Sequence, residues 1–383
     1  MSQFEGYLDA AATAPLRPEA RAAMLEVLDE GPGNPSSVHA FGHRAEAHLT
    51  AARRTISKFF GARESEVIFT SGGTEANNLA VIGLALAHPR GRHILTSALE
   101  HPSVLEACAM LERVFGFEVQ QVPVGAAGLM RPEAVQALLR ENTTLVTLGL
   151  ANAEIGTVQP VPEVIALAHH VGALVHTDAV QAAASLPVSF AVDAWPGAVD
   201  AMTIASHKFG GPQGVGALLL RAGTPIEPLL YGGGQEFGHR SGTQNVAGIA
   251  GFAAAVTATS VRLGSRALAL AQSRDALIAR VLAEVPGAEL TGDAAERLPG
   301  HASFVVAGVS GESLLVALDA AGVAASSGSA CAAGKDEPSP ALLAMGLSAE
   351  LAQTALRFTL FQPLSDELVE RIVSVLVSEV RGR

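Results

Sequence analysis

Sulfur is scarce in this chain: Cys108 and Cys331 are the two cysteines in 383 residues. Two thiols cannot build a disulfide framework or, alone, a structural zinc site, so a reducing, cytoplasmic setting is expected. Lysine is nearly as rare, at Lys58, Lys208 and Lys335, because arginine carries most of the positive charge. Arginine forms no Schiff base at neutral pH, so few side chains are open to amine chemistry. No apolar run reaches the roughly 18 residues of a membrane span. The longest candidate, NVAGIAGFAAAVTA, is broken by Gly and Thr and reads as a helix packed through small residues. Basic clusters are missing too: 25 Lys and Arg face 37 Asp and Glu, for a net charge of −12. That balance argues against nucleic-acid or membrane partners. The opening MSQFEGYLDAAATAPL is acidic where a secretion signal would be basic.

What is present is an alternation of apolar strands and amphipathic helices. PEARAAMLEVLDE and HAFGHRAEAHLTAARRTISKFF predict helices parted by the turn-rich GPGNPSS. EVIFTS then leads into TEANNLAVIGLAL and HILTS into HPSVLEACAMLERV; FEVQQVPV, TLVTLGL and ALVHT follow with helical segments between. Such an alternation predicts an α/β unit with a mainly parallel central sheet flanked by helices. DAMTIAS and VGALLL bracket a Gly-rich turn and predict a hairpin-like pair in the same sheet. From about Gly251 one long helical stretch is expected, followed by HASFVVAG, a helix at ESLLVALDAAG, the strand ALRFTL and a final helix. The expected division is a large domain over 16–255 and a smaller α+β C-terminal domain over 256–383, with 1–15 packing against the latter.

Open parallel sheets bind ligands at the carboxyl ends of their strands. Those ends here read SGGTEANN, SALEHPS, LANAEIG, HTDAVQ and ASHKFGG, and titratable residues gather in them. No GxGxxG fingerprint for a dinucleotide is present. In SGGTEANN, two glycines and the first turn of a helix suit a phosphate, with Thr74 adding a hydroxyl; an ordinary turn capped by Thr74 explains the same letters. Asp178 in HTDAVQ either caps a helix or pairs with a cation such as a protonated pyridine nitrogen. Lys208 in ASHKFGG, among polar strand ends in a lysine-poor chain, is the expected Schiff-base lysine. Lys58 sits in an Arg-rich helix and is expected to be solvated. His101 in EHPS either stacks on an aromatic ring or caps its helix. His39 and His43 have ligand spacing, but HAFGH lacks the acid of the HExxH pattern, and no metal is expected.

In this order the segments YLDAAATAPL, GNPSSVHAFG, TSGGTEANNLA, EHPSV, HTDAVQ, HKFGGPQGVGAL, RSGTQN, SSGSAC and ALRFTL resemble the cysteine desulfurases of iron–sulfur cluster assembly. These are pyridoxal-phosphate (PLP) enzymes of fold type I in aminotransferase class V, and the match covers nearly the whole chain. The resemblance implies that the large domain binds PLP and that L-cysteine becomes L-alanine, with a persulfide left on Cys331. It implies that Lys208 holds PLP and moves the α-proton, and that Asp178 pairs with the pyridine nitrogen. Gln181 would contact the ring hydroxyl, and His101 would stack on the ring. Thr74 and His207 would hold the phosphate with Gly73 and Ser206 beside them, joined by Thr243 from the second subunit of a homodimer. Arg357 and Asn152 would bind the substrate, and an acceptor or scaffold protein would receive the sulfur. A loop of small residues around Cys331 would let its thiol enter the pocket and leave it. Cys108, in a helix, is expected to pack.

Three positions depart from the family pattern. NAEIG puts Ala153 where an Asn is usual, Ala205 stands where a phosphate-binding Ser is usual, and Phe361 replaces a Gly. Ser206 adjoins Ala205 but is expected to point to the other side. The Ala153 change keeps a related lyase or aminotransferase in view, and a non-catalytic scaffold is the remaining alternative. The sequence offers no physical account of Phe361.

Overall fold

The computed structural model describes residues 4–87, 90–194, 198–327 and 338–382. Cys331 and Lys335 lie outside them. Among the described residues the chain builds two sheets. The larger takes strands β1 (Val67–Thr70), β2 (His93–Thr96), β3 (Glu118–Gln121), β4 (Thr143–Gly149), β5 (Leu174–Asp178), β6 (Ala201–Ala205) and β7 (Gly216–Leu220) in the order β1-β7-β6-β5-β4-β2-β3. β3, β2, β4, β5 and β6 run parallel, and β7 is antiparallel to both its neighbours. The expected hairpin-like pair is β6–β7, and the sheet is mainly parallel, as the alternation of strands and helices predicted. Its inner strands are buried on both faces, which is why they read as unbroken apolar runs. The smaller sheet is antiparallel, with β8 (Ala288–Leu290), β9 (His301–Val306) and β10 (Ala355–Thr359) in the order β10-β9-β8.

Helices α1 (Pro18–Asp29), α2 (Ala40–Phe60), α3 (Gly73–Ala87), α4 (Pro102–Phe115), α5 (Pro132–Leu138), α6 (Val161–His170) and α7 (Val246–Ser260) surround the large sheet. α8 (Leu263–Glu284), α9 (Gly311–Ala320), α10 (Pro340–Ala344), α11 (Ala349–Ala352) and α12 (Asp366–Arg381) complete the C-terminal part. α2 buries Ala45, Leu49, Ala52, Ile56 and Phe60, the stripe its periodicity dictates. His39 caps this helix, its Nδ1 accepting from the Gly42 N–H at 3.2 Å. α7 packs on α1 and α2 through small residues. A Cβ at Gly251 would stand 2.6 Å from Met24 Cγ, so only glycine allows that approach.

The long helical stretch expected after Gly251 is two helices. α7 and α8 meet at 73° across Val261 and Arg262. Their apolar faces serve different cores, and a straight helix could not reach both. Phe252 and Val256 belong to the large core, whereas Leu270, Leu277 and Val281 join Leu8, Phe304 and Phe358 in the small one. Residue 256, where the second unit was expected to begin, lies within α7. No single helix among the described residues is long and apolar enough to cross a membrane.

One buried ion pair shapes the segment that carries Thr243. Glu236 and Phe237 both adopt left-handed φ, +50° and +59°, a conformation that strains non-glycine residues. The Glu236 carboxylate is buried and receives Arg53 Nη1 and Nη2 at 2.9 Å, the Phe69 N–H at 2.8 Å and Gln244 Nε2 at 3.0 Å. Four donors on one carboxylate hold the strained turn in place. Arg53→Ala strands that charge in the core and should lower stability by about 3–5 kcal/mol. Urea unfolding would measure it as a reduced midpoint at unchanged slope; a loss below about 1 kcal/mol would show that the pair does not hold the turn.

Candidate active site

The carboxyl ends of β2, β4, β5 and β6 bring the expected groups together. Lys208 lies in a short 3₁₀ turn that follows β6 directly. Its Nζ donates to the Ala11 carbonyl and, at 2.9 Å, to that of Ala12. A cleft of about 60 Å³ opens beside it, lined among others by Ala11, Gln181, Arg266, His301 and Thr359. Gln181 Nε2 also donates to the Ala11 carbonyl, at 3.2 Å. His207 Nδ1 sits 3.1 Å from Thr13 Oγ1. Burial first, and then the Lys208 ammonium, push its pKa down to about 4, so it is neutral at pH 7.

Asp178 ends β5 with both carboxylate oxygens engaged. Oδ1 accepts from the Val180 N–H at 2.9 Å, and Oδ2 from Asn77 Nδ2 at 2.7 Å. Asn77 Nδ2 also donates to Ser103 Oγ at 2.9 Å, and Ser103 Oγ lies 2.7 Å from His101 Nδ1. His101 caps α4 and accepts from the Ser103 N–H. Desolvation lowers its pKa, Asp178 opposes that, and Lys208 lowers it further. TEANN and EHPS were legible as motifs, yet only Thr74 and His101 stood out in them. Asn77 and Ser103 carried no signal, because Asn and Ser near helix starts usually serve as caps.

Glu100 is a second group that the sequence reading missed. It is buried, its oxygens accepting from Ser97 Oγ at 2.7 Å and the Gly149 N–H at 2.6 Å. Burial pushes its pKa up to about 7; Ser97 opposes that, Asp178 adds to it, and the Gly149 N–H opposes it. His176, two residues before Asp178 on β5, bridges Thr147 Oγ1 at 2.8 Å and Thr203 Oγ1 at 3.0 Å. Burial pushes it down to about 4.

On the side of the small sheet Arg357 is 2% exposed. Its Nη2 donates to Asp9 Oδ1 at 2.8 Å and its Nη1 to the Ala153 carbonyl at 3.1 Å, while Nε has no partner among the described residues. His301 Nε2 donates to the same carbonyl at 2.9 Å. Ala153 therefore serves this site through its backbone, and a substrate carboxylate would share Arg357 with Asp9. Asn152 uses its amide on the loop itself: Nδ2 donates to the Leu99 carbonyl at 2.7 Å, and Oδ1 accepts from Glu154 and Ile155 N–H. One amide hydrogen remains for another partner.

Gly73 opens α3, whose first N–H groups have no partner within the helix. A Cβ there would lie 3.1 Å from Val180 Cγ2 and 3.6 Å from the Ala205 Cβ, so Ala205 lines this cradle. Ser206 is fully buried, its Oγ unpartnered among the described residues and turned toward Gly211. Thr74 and Thr243 are both exposed. Glu75 and Arg240, paired at 2.7 Å, tie the start of α3 to the segment bearing Thr243. Phe361 gains a physical account: its ring lies under Arg17 and Arg266, at 5.1 and 4.9 Å. Arg17 Nε donates to the Phe209 carbonyl at 2.7 Å and Arg266 Nη1 to that of Ala184 at 3.2 Å. The ring thus joins the end of β10 to the segment carrying Lys208. Cys108 is buried in α4, and burial pushes its thiol up to about 12.

A family model for aminotransferase class V matches residues 6–372. The chain belongs to that family. A cysteine desulfurase IscS of Dictyoglomus turgidum is 44% identical to this class-V chain over 357 residues, covering 93% of this chain and 89% of its own. A cysteine desulfurase of Cereibacter sphaeroides is 43% identical over 371 residues, covering 97% and 94%. A solved NifS-like protein superimposes with a TM-score of 0.89 at 34% identity over 98% of each chain. SspA in complex with cysteine gives 0.80 at 31%, covering 94% of this chain and all of its own. These are the relatives that the motif string implied. Class-V enzymes of this kind depend on PLP, and the residues here fit it. Lys208 supplies the amine, Asp178 an anchored carboxylate, and α3 an anion-binding end whose glycine leaves a cradle that a side chain would fill.

Two buried groups should give this site opposite pH signatures. His176 has a folded pKa near 4 against an ordinary 6.5, so its contribution is present above 6.5 and lost as pH falls through 4. Glu100 is raised from 4.5 to about 7, so its contribution is present below 4.5 and lost as pH rises through 7. Between about pH 4.5 and 6.5 the two oppose each other. Glu100→Gln should steepen the rise of stability with pH in that window, and His176→Gln should flatten it, each by up to about 1.4 kcal/mol per pH unit. Urea unfolding at several pH values measures both slopes; changes of the reverse sign would contradict the assignments.

Proposed function

We propose that the chain is a PLP-dependent cysteine desulfurase, converting L-cysteine to L-alanine and leaving sulfur as a persulfide on Cys331. The carrying observation is the meeting of Lys208, Asp178 and His101 at neighbouring strand ends, with Asp178 already held by two donors. The similarity to cysteine desulfurases over nearly the whole chain supports it. So does the placement of Cys331 in a stretch of Ala, Ser and Gly.

Bound PLP supplies an electron sink for the pair released when a proton leaves the substrate Cα. Lys208 would hold that group and move the proton, and Asp178 would pair with the ring nitrogen. Gln181 would contact the ring hydroxyl, His101 would stack on the ring, and Gly73, Thr74 and His207 would receive the phosphate. Arg357 takes the substrate carboxylate. The Cys331 thiolate attacks the substrate sulfur and the Cβ–Sγ bond breaks. Its electron pair stays with the carbon fragment, which is protonated and leaves as alanine. L-cysteine and a thiol become L-alanine and a persulfide, with no outside oxidant. A second protein then accepts the sulfur, in the reducing cytoplasm where the thiol persists.

The reading includes a homodimer in which Thr243 reaches the partner's phosphate site. Thr243 is exposed on the segment that Glu236 pins, near the exposed Tyr231 and Phe237. Ala153, in place of the usual Asn, favours one second reading, a lyase or aminotransferase acting on another amino acid.

Incubation with L-cysteine should give alanine and protein-bound persulfide together. Lys208→Ala should abolish both, and Cys331→Ala should abolish the persulfide. A keto acid without persulfide would support the second reading and defeat the first. For the dimer, a Lys208→Ala subunit is mixed with a Thr243→Ala subunit after demonstrated exchange. If Thr243 acts across the interface, one site of each heterodimer carries both lesions and the other neither, so activity returns. Activity that stays at the level of the separate variants would place Thr243 in its own subunit's site.

A further inference from the structure

Asp178 and His101 are not independent side chains. The Asp178 carboxylate only accepts, so the Asn77 amide must turn its nitrogen toward Oδ2, 2.7 Å away. The same nitrogen reaches Ser103 Oγ at 2.9 Å, which uses both amide hydrogens. Ser103 Oγ, already accepting from Asn77, directs its proton to His101 Nδ1 at 2.7 Å. The Ser103 backbone N–H, which can only donate, also ends on Nδ1, at 3.1 Å. Nδ1 therefore carries no proton, and neutral His101 holds it on Nε2.

We propose that Asn77 is a positioning residue that, with Ser103, couples Asp178 to His101 and fixes the imidazole as the Nε2–H tautomer. Asn77 and Ser103 are both buried, so water does not compete for their hydrogen bonds. Asn77 Oδ1 is buried without a partner among the described residues. A side chain serving packing alone would not leave a carbonyl unsatisfied, and here the amide nitrogen does the work. The chain joins three elements: α3 carries Asn77, α4 begins with His101 and Ser103, and β5 ends with Asp178. The charged groups facing His101 are Asp178 from β5 and Lys208 from the turn after β6. The parts assigned to Asp178 and His101 rest on the desulfurase reading.

The test is nitrogen NMR of the holoenzyme with labelled histidine, His101 being assigned among the 12 histidines by a His101→Gln spectrum. The wild type should show a protonated Nε2 and an unprotonated Nδ1. Asn77→Asp keeps the shape but puts an acceptor where the donor was. The Ser103 hydroxyl then turns toward it, its oxygen faces Nδ1, and His101 should titrate at higher pH. Ser103→Ala removes a donor to the unprotonated nitrogen and should move the titration the same way, and Ser103→Thr should restore it. In Asn77→Asp and Ser103→Ala, kcat for L-cysteine should fall about tenfold with KM within about twofold. A wild-type proton on Nδ1, or a His101 titration unmoved in both variants, overturns the proposal. If Asn77→Asp does not fold, the Ser103 pair decides alone. The titration is read without substrate, so its failure is distinct from a wild type that forms no alanine.

Discussion

Lys208, Gln181, His207 and Arg357 all lean on the short peptide from Leu8 to Ala14. Leu8 is buried in the small core, and the Ala10 and Ala11 N–H groups bond to Thr359 at the end of β10. The Ala11 and Ala12 carbonyls receive Lys208, Ala11 also receives Gln181, and Thr13 and Ala14 bond to His207. One short segment, with a turn closed on the Asp9 carbonyl, thus satisfies its backbone on two cores at once. An isolated peptide could not afford that order, since fixing each residue costs about 1–2 kcal/mol. The two cores supply the return, and the cleft lies where they meet.

The large sheet was legible because parallel strands buried on both faces must be apolar and must end at polar loops. That rule found SGGTEANN, EHPS, HTDAVQ and ASHKFGG, and Lys208, Asp178 and His101 meet where it placed them. The bend between α7 and α8 was not legible. Its two faces answer to two different cores, and periodicity along one segment cannot register a change of partner. Asn77, Ser103 and Glu100 were hidden for another reason. Their importance lies in contacts between elements distant in sequence, such as Asn77 with Asp178, 101 residues apart.

The three departures from the family pattern resolve unevenly. Ala205 lines the cradle at Gly73 with a methyl group, and the Ser206 hydroxyl, in the 3₁₀ turn that follows β6, is turned toward Gly211. Ala153 matters through its carbonyl, on which Arg357 and His301 converge, so its side chain is free to vary without loosening that anchor. Phe361 offers an aromatic face to two guanidiniums, a contact that glycine could not make.

The Leu8–Ala14 segment also sets a timetable. Ala11 and its partner Thr359 are 348 positions apart. On a ribosome adding about 5–20 residues per second, Ala11 is made roughly 20–70 s before Thr359 exists. During that interval the large sheet can collapse, because its strands lie within the first 220 residues. The carbonyls that receive Lys208 are not yet fixed from the β10 side. Assembly of the amine site is therefore tied to completion of the small sheet, and a truncated chain that folds its large sheet would carry Lys208 in an unfinished setting.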